Sequence, residues 1–467
     1  MTSIELSAIG IQDKYLNINP QISFFKTVFR RHTNFSKVTD RIENSGQTPR
    51  FGSSDLEYII RQRGDLVHKL YFEVIIAGQS DSATKHTVNH FGNSLIKTVR
   101  LEIGGITIDT QSGRWMQIYN ELYNKSYKYP ISNQSQTDST NGGLNDMVFA
   151  ADATRTQLDI SRRMYGDCPL VFGGVTNDGT KSQDKTYYKK FYIPLRFFFN
   201  NSLAQALPLC ALSNHQVKIK VNLESVENLR GNLDANDLSI HSFNLYGDFI
   251  HLGNEERSKF INTSLTYLIE TVQEQGDFVS NSAQQIVNDF ASGYEDAADK
   301  IETGSKTYSL DSFKHPIKYF TWVVTNPGIN GSNAGLGPCY FMSMCSNSEY
   351  GSDGIHGSFL LKLDNREKES ILPMSHYTRK IYCELEQRVP EMDRIGLYSF
   401  AAAPFDDQPS GTCNFSKISD VDLNIIFAND ALDGASETII KNKNIYFFAV
   451  NYNVLRIMNG MAGLEFS

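Results

Sequence analysis

Apolar and polar residues alternate through "LVHKLYFEVII" (66–76) and again through "SLIKTVRLEIGGITID" (94–109). A strand sends successive side chains to opposite faces, so a period of two suits a half-buried sheet and does not suit a helix. The same texture returns in "KKFYIPLRFFF" (189–199), "HQVKIKVNL" (215–223), "LSIHSFNLYGDFIHL" (238–252), "HPIKYFTWVV" (315–324), "VDLNIIF" (421–427) and "NIYFFAVNYNVLRIM" (444–458). Gly104-Gly105 interrupts the second stretch and supplies the positive φ angles of a tight hairpin turn or bulge. The clearest helical spacing is short: Trp115, Ile118, Tyr119 and Leu122 fall at i, i+3, i+4 and i+7. Strands without regular helical crossovers exclude a doubly wound α/β sheet and define an all-β chain.

A chain of 467 residues is too long for one ordinary domain. Its polar stretches suggest where it divides. Residues 123–188 and 276–308 are rich in Ser, Thr, Asn, Gly and Asp, the chemistry of long exposed loops. Within the second, Ile286, Phe290, Tyr294 and Ile301 could share one face of a helix. "ESVENLRGNLDAND" (224–237) reads as the linker between two all-β domains. The longest uncharged run, Phe197 to Val217, holds Asn200, Asn201, Gln205, Pro208 and His215. These are too costly in hydrocarbon, so it reads as two buried strands with a loop between them rather than a membrane span. The first sixteen residues carry Glu5 and Asp13 and no basic region ahead of an apolar core, unlike a signal peptide. A soluble protein made in a cytosol is expected.

The sequence offers little to a catalyst. No Gly-Lys dipeptide occurs, so a P-loop is absent, and neither H-E-x-x-H nor G-x-S-x-G is found. His86 and His90 lie in a Thr/Asn-rich segment without a third ligand, and the six cysteines contain no C-x-x-C pair. No cofactor or metal is expected. A net charge of −8 argues against wrapping nucleic acid, which needs clustered bases. One local exception runs over 26–41, where Lys26, Arg30, Arg31, Lys37 and Arg41 against Asp40 give a net +4 interleaved with Phe29 and Phe35, and Phe24 and Phe25 precede it. A strand with rings inward and charges outward and an ordered protein contact are equal readings of it; stacking on nucleic acid is the third.

"QPSGTCNFS" (408–416) allows three readings: a nucleophilic Cys413, a glycan acceptor at Asn414, or a corner between strands. Further Asn-x-Ser/Thr triplets stand at Asn34, Asn124, Asn133, Asn200, Asn262 and Asn330, of which Asn133 and Asn330 are kept as candidate glycan sites.

Several blocks taken together resemble the major capsid protein of large icosahedral DNA viruses, in its chlorovirus (phycodnavirus) form. They are "IQDKYLNINPQISFFKTVFRRHTNF" (11–35), "LEIGGITID" with the Trp115 helix, and "FYIPLRFFFNNSLAQALPLCALSNHQVKI" (191–219). "HPIKYFTW", "LYSFAAAPFDDQPSGTCNFSKI" (397–418) and "NYNVLRIMNGMAGL" (451–464) complete a collinear set. The resemblance implies two consecutive eight-stranded antiparallel jelly rolls with long loops and few short helices. An N-terminal arm would occupy 1–22, the first roll 23–223, and the second roll 238–467. It implies a homotrimer of pseudo-hexagonal outline that tiles an icosahedral shell, assembled in host cytoplasm, with no direct genome binding. Neighbouring capsomers, minor capsid and penton proteins would be its partners, over an internal membrane touched at most indirectly. Lys26, Arg30, Arg31 and Lys37 would then face neighbouring capsomers or minor proteins. In "QPSGTCNFS" the corner reading prevails: Pro409 and Gly411 set the bend and Cys413 is a small buried residue, no histidine lying within thirty residues of it. The rival roles are a minor or penton-associated paralogue, separable by copy number in virions, and a carbohydrate-binding or carbohydrate-active jelly roll, separable by a sugar-dependent thermal shift.

Overall fold

The computed structural model describes residues 8, 10–13, 19–27, 29, 31–79, 87–88, 90–123, 164–166, 170, 172, 186–231, 233–276, 304–325, 357–385, 395–427 and 444–466. The first half contributes β1 (Phe35–Ile42), β2 (Leu56–Ile60), β3 (Leu66–Gly78), β4 (Ile96–Ile103), β5 (Ile106–Ser112), β6 (Tyr187–Pro194), β7 (Leu207–Pro208), β8 (Val217–Leu223) and β9 (Leu238–Leu252). The second half contributes β10 (Leu265–Gly276), β11 (Gly304–Ser309), β12 (Pro316–Thr325), β13 (Gly357–Leu363), β14 (Arg366–Glu367), β15 (Leu372–Pro373), β16 (Gly396–Ser399), β17 (Cys413–Asn414), β18 (Val421–Phe427), β19 (Asn444–Met458) and β20 (Met461–Leu464).

In the first half one sheet runs β1-β9-β3-β6 and the other β2-β8-β4-β5. In the second half the corresponding orders are β10-β19-β12-β16 and β11-β18-β13-β14. Among the described residues, with β7, β15, β17 and β20 off the main paths of their sheets, each half uses eight strands, the two-residue β14 standing fifth in the second. Their spatial order is first-eighth-third-sixth facing second-seventh-fourth-fifth, and all pairings are antiparallel. The chain is therefore two jelly rolls of one topology in tandem. Alternation sets the core of each. In β8 the pattern is strictly buried and half-buried by turns, and Val217, Ile219, Val221 and Leu223 enter the first core. In β12, Phe320 and Trp322 enter the second core, where Trp322 stacks on Phe359 at 4.5 Å.

The hairpin between β4 and β5 pairs Ile103 with Ile106, and Gly104 and Gly105 sit at φ 60° and 85°, as a two-residue turn of this twist requires. The Trp115 helix forms as the spacing predicts, as α1 (Gly113–Tyr123).

Three expectations need correction. Residues 238–252 form β9, which pairs with β1 and β3 and so closes the first roll instead of opening the second. Segment 224–237 then links the seventh and eighth strands of the first roll, and the passage between rolls is Gly253 to Ser264 with α2 (Asn254–Asn262). Polar composition rich in Asn and Asp marks an exposed connection but not which sheets it joins. Next, Phe197–Val217 holds no pair of long strands. It folds as short helical turns at Phe198–Asn201, Leu203–Gln205 and Leu209–Ala211 around β7, with Phe197, Phe199, Leu207 and Leu209 buried. A run of buried side chains has no periodicity to tell a strand from packed turns. Finally, the first roll begins pairing only at Phe35, so residues 23–34 precede the sandwich. The helical reading around Ile286–Ile301 lies outside the described residues.

Candidate assembly surfaces

The two rolls meet through a buried seam. Trp115, Ile118 and Leu122 of α1 pack against Tyr319 and Val323 of β12, Phe448 and Val450 of β19 and Leu397 of β16. Met116, on the opposite side of the helix, enters the first core. α1 thus serves two cores, as a helix with apolar residues on more than one face must. The seam face of β12 carries Tyr319, Thr321 and Val323, the residues that alternate with the core-facing Phe320 and Trp322.

Polar groups pin this seam. The Val272 N–H of the second roll donates to Asp109 Oδ1 at 3.1 Å, and Gln111 Nε2 donates to Asp109 Oδ2 at 2.7 Å. Burial pushes the Asp109 carboxyl up to about 6 against these hydrogen bonds. Tyr123 and Tyr319 join hydroxyl to hydroxyl at 2.9 Å, and burial raises both phenols well above their usual range. The Arg114 guanidinium lies 3.9 Å from the centre of the Tyr446 ring. Glu274, also at the seam, is pushed up by burial, offset in part by Ser112 and Arg114. Beside these, Lys318 is 1% exposed; its Nζ donates to Glu270 Oε1 at 2.5 Å and to the Asp406 carbonyl at 2.9 Å. It is the extra residue where the pairing of β12 with β19 slips between Ile317 and Tyr319, so a bulge turns its side chain toward the acid. The periodicity concealed these groups. A charged residue inside the apolar "HPIKYFTW" was the available signal.

The basic-aromatic segment lies differently from the inward-ring reading. Phe24, Phe25 and Phe29 are 91%, 99% and 87% exposed, and Lys26 and Arg31 are exposed beside them. Lys37 stands on β1, the edge strand of its sheet, also exposed, with Nζ 5.9 Å from the Phe35 ring centre. Arg30 lies outside the described residues, as do Asn133 and Asn330. Exposed rings of this size next to cations form a surface suited to another protein.

At the corner, Gly411 has φ 141°, and a Cβ there would come within 2.7 Å of the Phe400 carbonyl oxygen. Ala403 N–H donates to Ser410 Oγ, and Cys413 enters β17 opposite Ile317. Cys413 is half-buried, where the expectation had it buried, and packs on the second core. Burial raises its thiol, the opposite of what a nucleophile needs. Asn414 Oδ1 accepts the Ser416 N–H. Asn200, another triplet asparagine, donates to the Leu195 carbonyl. Among the described residues no three His, Cys, Asp or Glu side chains gather as a metal would require, and no helix is long and apolar enough to cross a membrane.

Tandem jelly rolls of one topology, joined by a buried helix-on-sheet seam, place the molecule in the double-jelly-roll class. Residues 23–253 match the family described as "Major capsid protein N-terminus", and residues 256–463 match "Large eukaryotic DNA virus major capsid protein". The division between these matches falls within the passage that follows β9. The chain belongs to the major capsid protein family of large eukaryotic DNA viruses. It is 32% identical over 491 residues to the major capsid protein of Pyramimonas orientalis virus, covering 99% of this chain and 98% of that one. With the major capsid protein of Paramecium bursaria Chlorella virus 1 it shares 30% over 502 residues, 99% and 98% of the two chains. A chain of the PBCV-1 virus capsid superposes with a TM-score of 0.69 at 26% identity, covering 95% of this chain and 100% of that one. The family is one of structural capsid proteins, and the protein is a component of the virion capsid.

Proposed function

We propose that three copies associate into a capsomer of pseudo-hexagonal outline, and that capsomers tile the icosahedral shell. The observation that carries this reading is the repetition of one eight-stranded topology twice in a chain, held by a buried seam. Three such chains present six like blocks around an axis. Residues 1–34 contribute the contact to neighbouring capsomers or minor capsid proteins, with Lys26, Arg30, Arg31 and Lys37 beside the exposed phenylalanines. Penton and minor proteins are further partners, the internal membrane is reached only through them, and assembly takes place in the host cytoplasm. The first roll, read now as residues 35–252, and the second, from 265 onward, are the units. Pro409 and Gly411 act as a structural corner, and Asn133 and Asn330 remain the glycan candidates.

Light scattering on the purified protein across salt concentrations tests the trimer. A stable species near three times 52.6 kDa supports it, and a monomer at every concentration overturns it for the isolated chain.

A further inference from the structure

The seam sets a helix of one roll on a sheet face of the other, and the chain contains both components twice. In the first roll the helix lies between the fifth and sixth strands, as α1. The same connection of the second roll, between β14 and β16, carries a widely wound turn, His376–Lys380, running into α3 (Ile381–Glu384). Each helix gives one side chain to its own core, Met116 in the first and Tyr377 in the second. Counted from these, Trp115, Ile118 and Leu122 correspond to His376, Arg379 and Cys383. Cys383 and the neighbouring Lys380 are exposed, and His376 and Arg379 are half-exposed.

The sheet face is repeated as well. Under α1, Tyr319 lies beside Val450, Thr321 beside Phe448 and Val323 beside Tyr446. The first roll has Tyr71 beside Tyr246, Glu73 beside Asn244 and Ile75 beside Ser242 at the same places. All six are half-exposed. Tyr71 stacks on Tyr246 at 5.7 Å and meets Tyr192 edge-on at 5.8 Å. Both faces carry two tyrosines, but where the second roll sets Val450, Phe448 and Val323 beside them for a permanent partner, the first sets Glu73, Asn244 and Ser242. That is the composition of a face that meets water before it meets a partner.

We propose that residues 376–384 of one copy dock on the Tyr71–Tyr246 face of the next copy's first roll, repeating between chains the contact that α1 makes within one. This rests on the trimer reading above and names its surface. Arg379 and Lys380 bring cations to tyrosine rings and to Glu73, as Arg114 does to Tyr446 inside the chain, and the His376 ring lies beside them in the segment. Glu384 falls where Tyr123 stands in α1, so its carboxylate meets the Tyr71 hydroxyl as Tyr123 meets Tyr319. In the single chain Glu384 pairs with Lys380 at 3.0 Å, both exposed, and the half-exposed Glu73 pairs with Lys190 at 2.7 Å, and docking exchanges these ion pairs for contacts across the interface. A head-to-tail contact closes into a ring when its rotation permits, and here seams within and between chains would alternate around the axis.

The test is a double variant of the full chain, Asn244→Cys with His376→Cys, made together with its single variants in a Cys383→Ser background that removes the exposed thiol of the docking segment, and treated with a short bismaleimide. The internal counterparts Phe448 and Trp115 have ring centres 5.8 Å apart, so the new thiols fall within the linker's reach. A covalent ladder ending at three chains, absent from either single variant, is expected. A trimer in light scattering without that ladder overturns this surface and leaves the trimer standing. A monomer overturns both. As a second arm, Arg379→Glu with Lys380→Glu is expected to weaken trimer association at least tenfold with an unchanged circular dichroism spectrum, while Lys417→Glu, at an exposed site elsewhere, leaves it unaltered. Equal association in both variants overturns the proposal.

Discussion

Asp109 is a buried carboxylate that binds its proton more tightly in the folded chain than in the unfolded one, its carboxyl standing at about 6 against an ordinary 3.8. Between those values the folded state holds more protons, so this group's contribution to stability grows as pH falls from 7 toward 4. Asp109→Asn keeps an acceptor for the Val272 N–H and removes the buried charge. We expect it to stabilise the protein by about 1–2 kcal/mol at pH 7.5, the lost Gln111 bond offsetting part of the gain, and to flatten this part of the pH dependence. Urea unfolding at several pH values reads both effects. Lys318 has the opposite sensitivity. Lys318→Met leaves Glu270 and the Asp406 carbonyl without their cation, with an expected loss of about 3 kcal/mol in the same assay; a loss under 1 kcal/mol would show that the pair contributes little.

At the scale of elements, α1 supplies the first roll's side of the apolar seam. Trp115→Ala removes a ring that is 2% exposed, and a destabilisation of about 3–5 kcal/mol is expected from calorimetry, with the single transition splitting as the rolls unfold separately. A variant that still melts in one unshifted transition would contradict that role. This helix was legible from four apolar residues, as were the strands from alternation and the β4–β5 hairpin from two glycines. The membership of β9 was not, because a period of two says that a strand has two faces and nothing about its neighbours. Nor were the seam groups: Asp109 meets Val272 across 163 positions and Lys318 meets Glu270 across 48, proximities only the fold creates. Two all-β units were legible from length and composition; the resemblance to a capsid family carried what local patterns could not, namely eight strands in each and their jelly-roll order.

For the whole molecule, stability and assembly separate at the N-terminal segment. Phe24, Phe25 and Phe29 contribute little to either core, so changing all three to Ser is expected to shift unfolding by less than about 0.5 kcal/mol. The same variant should still form trimers and should fail in their further association, read by sedimentation of trimers into larger arrays. Loss of the fold would show instead that these rings are buried in the free protein.

The seam also imposes an order in time. Trp115 is synthesised 333 residues before Phe448, the ring against which it rests. At about 5–20 residues per second, that leaves the greasy side of α1 uncovered for roughly 15–70 s on each ribosome. A message truncated between β9 and β12 would release a chain whose first roll is complete and whose stickiest helix has nothing to cover it.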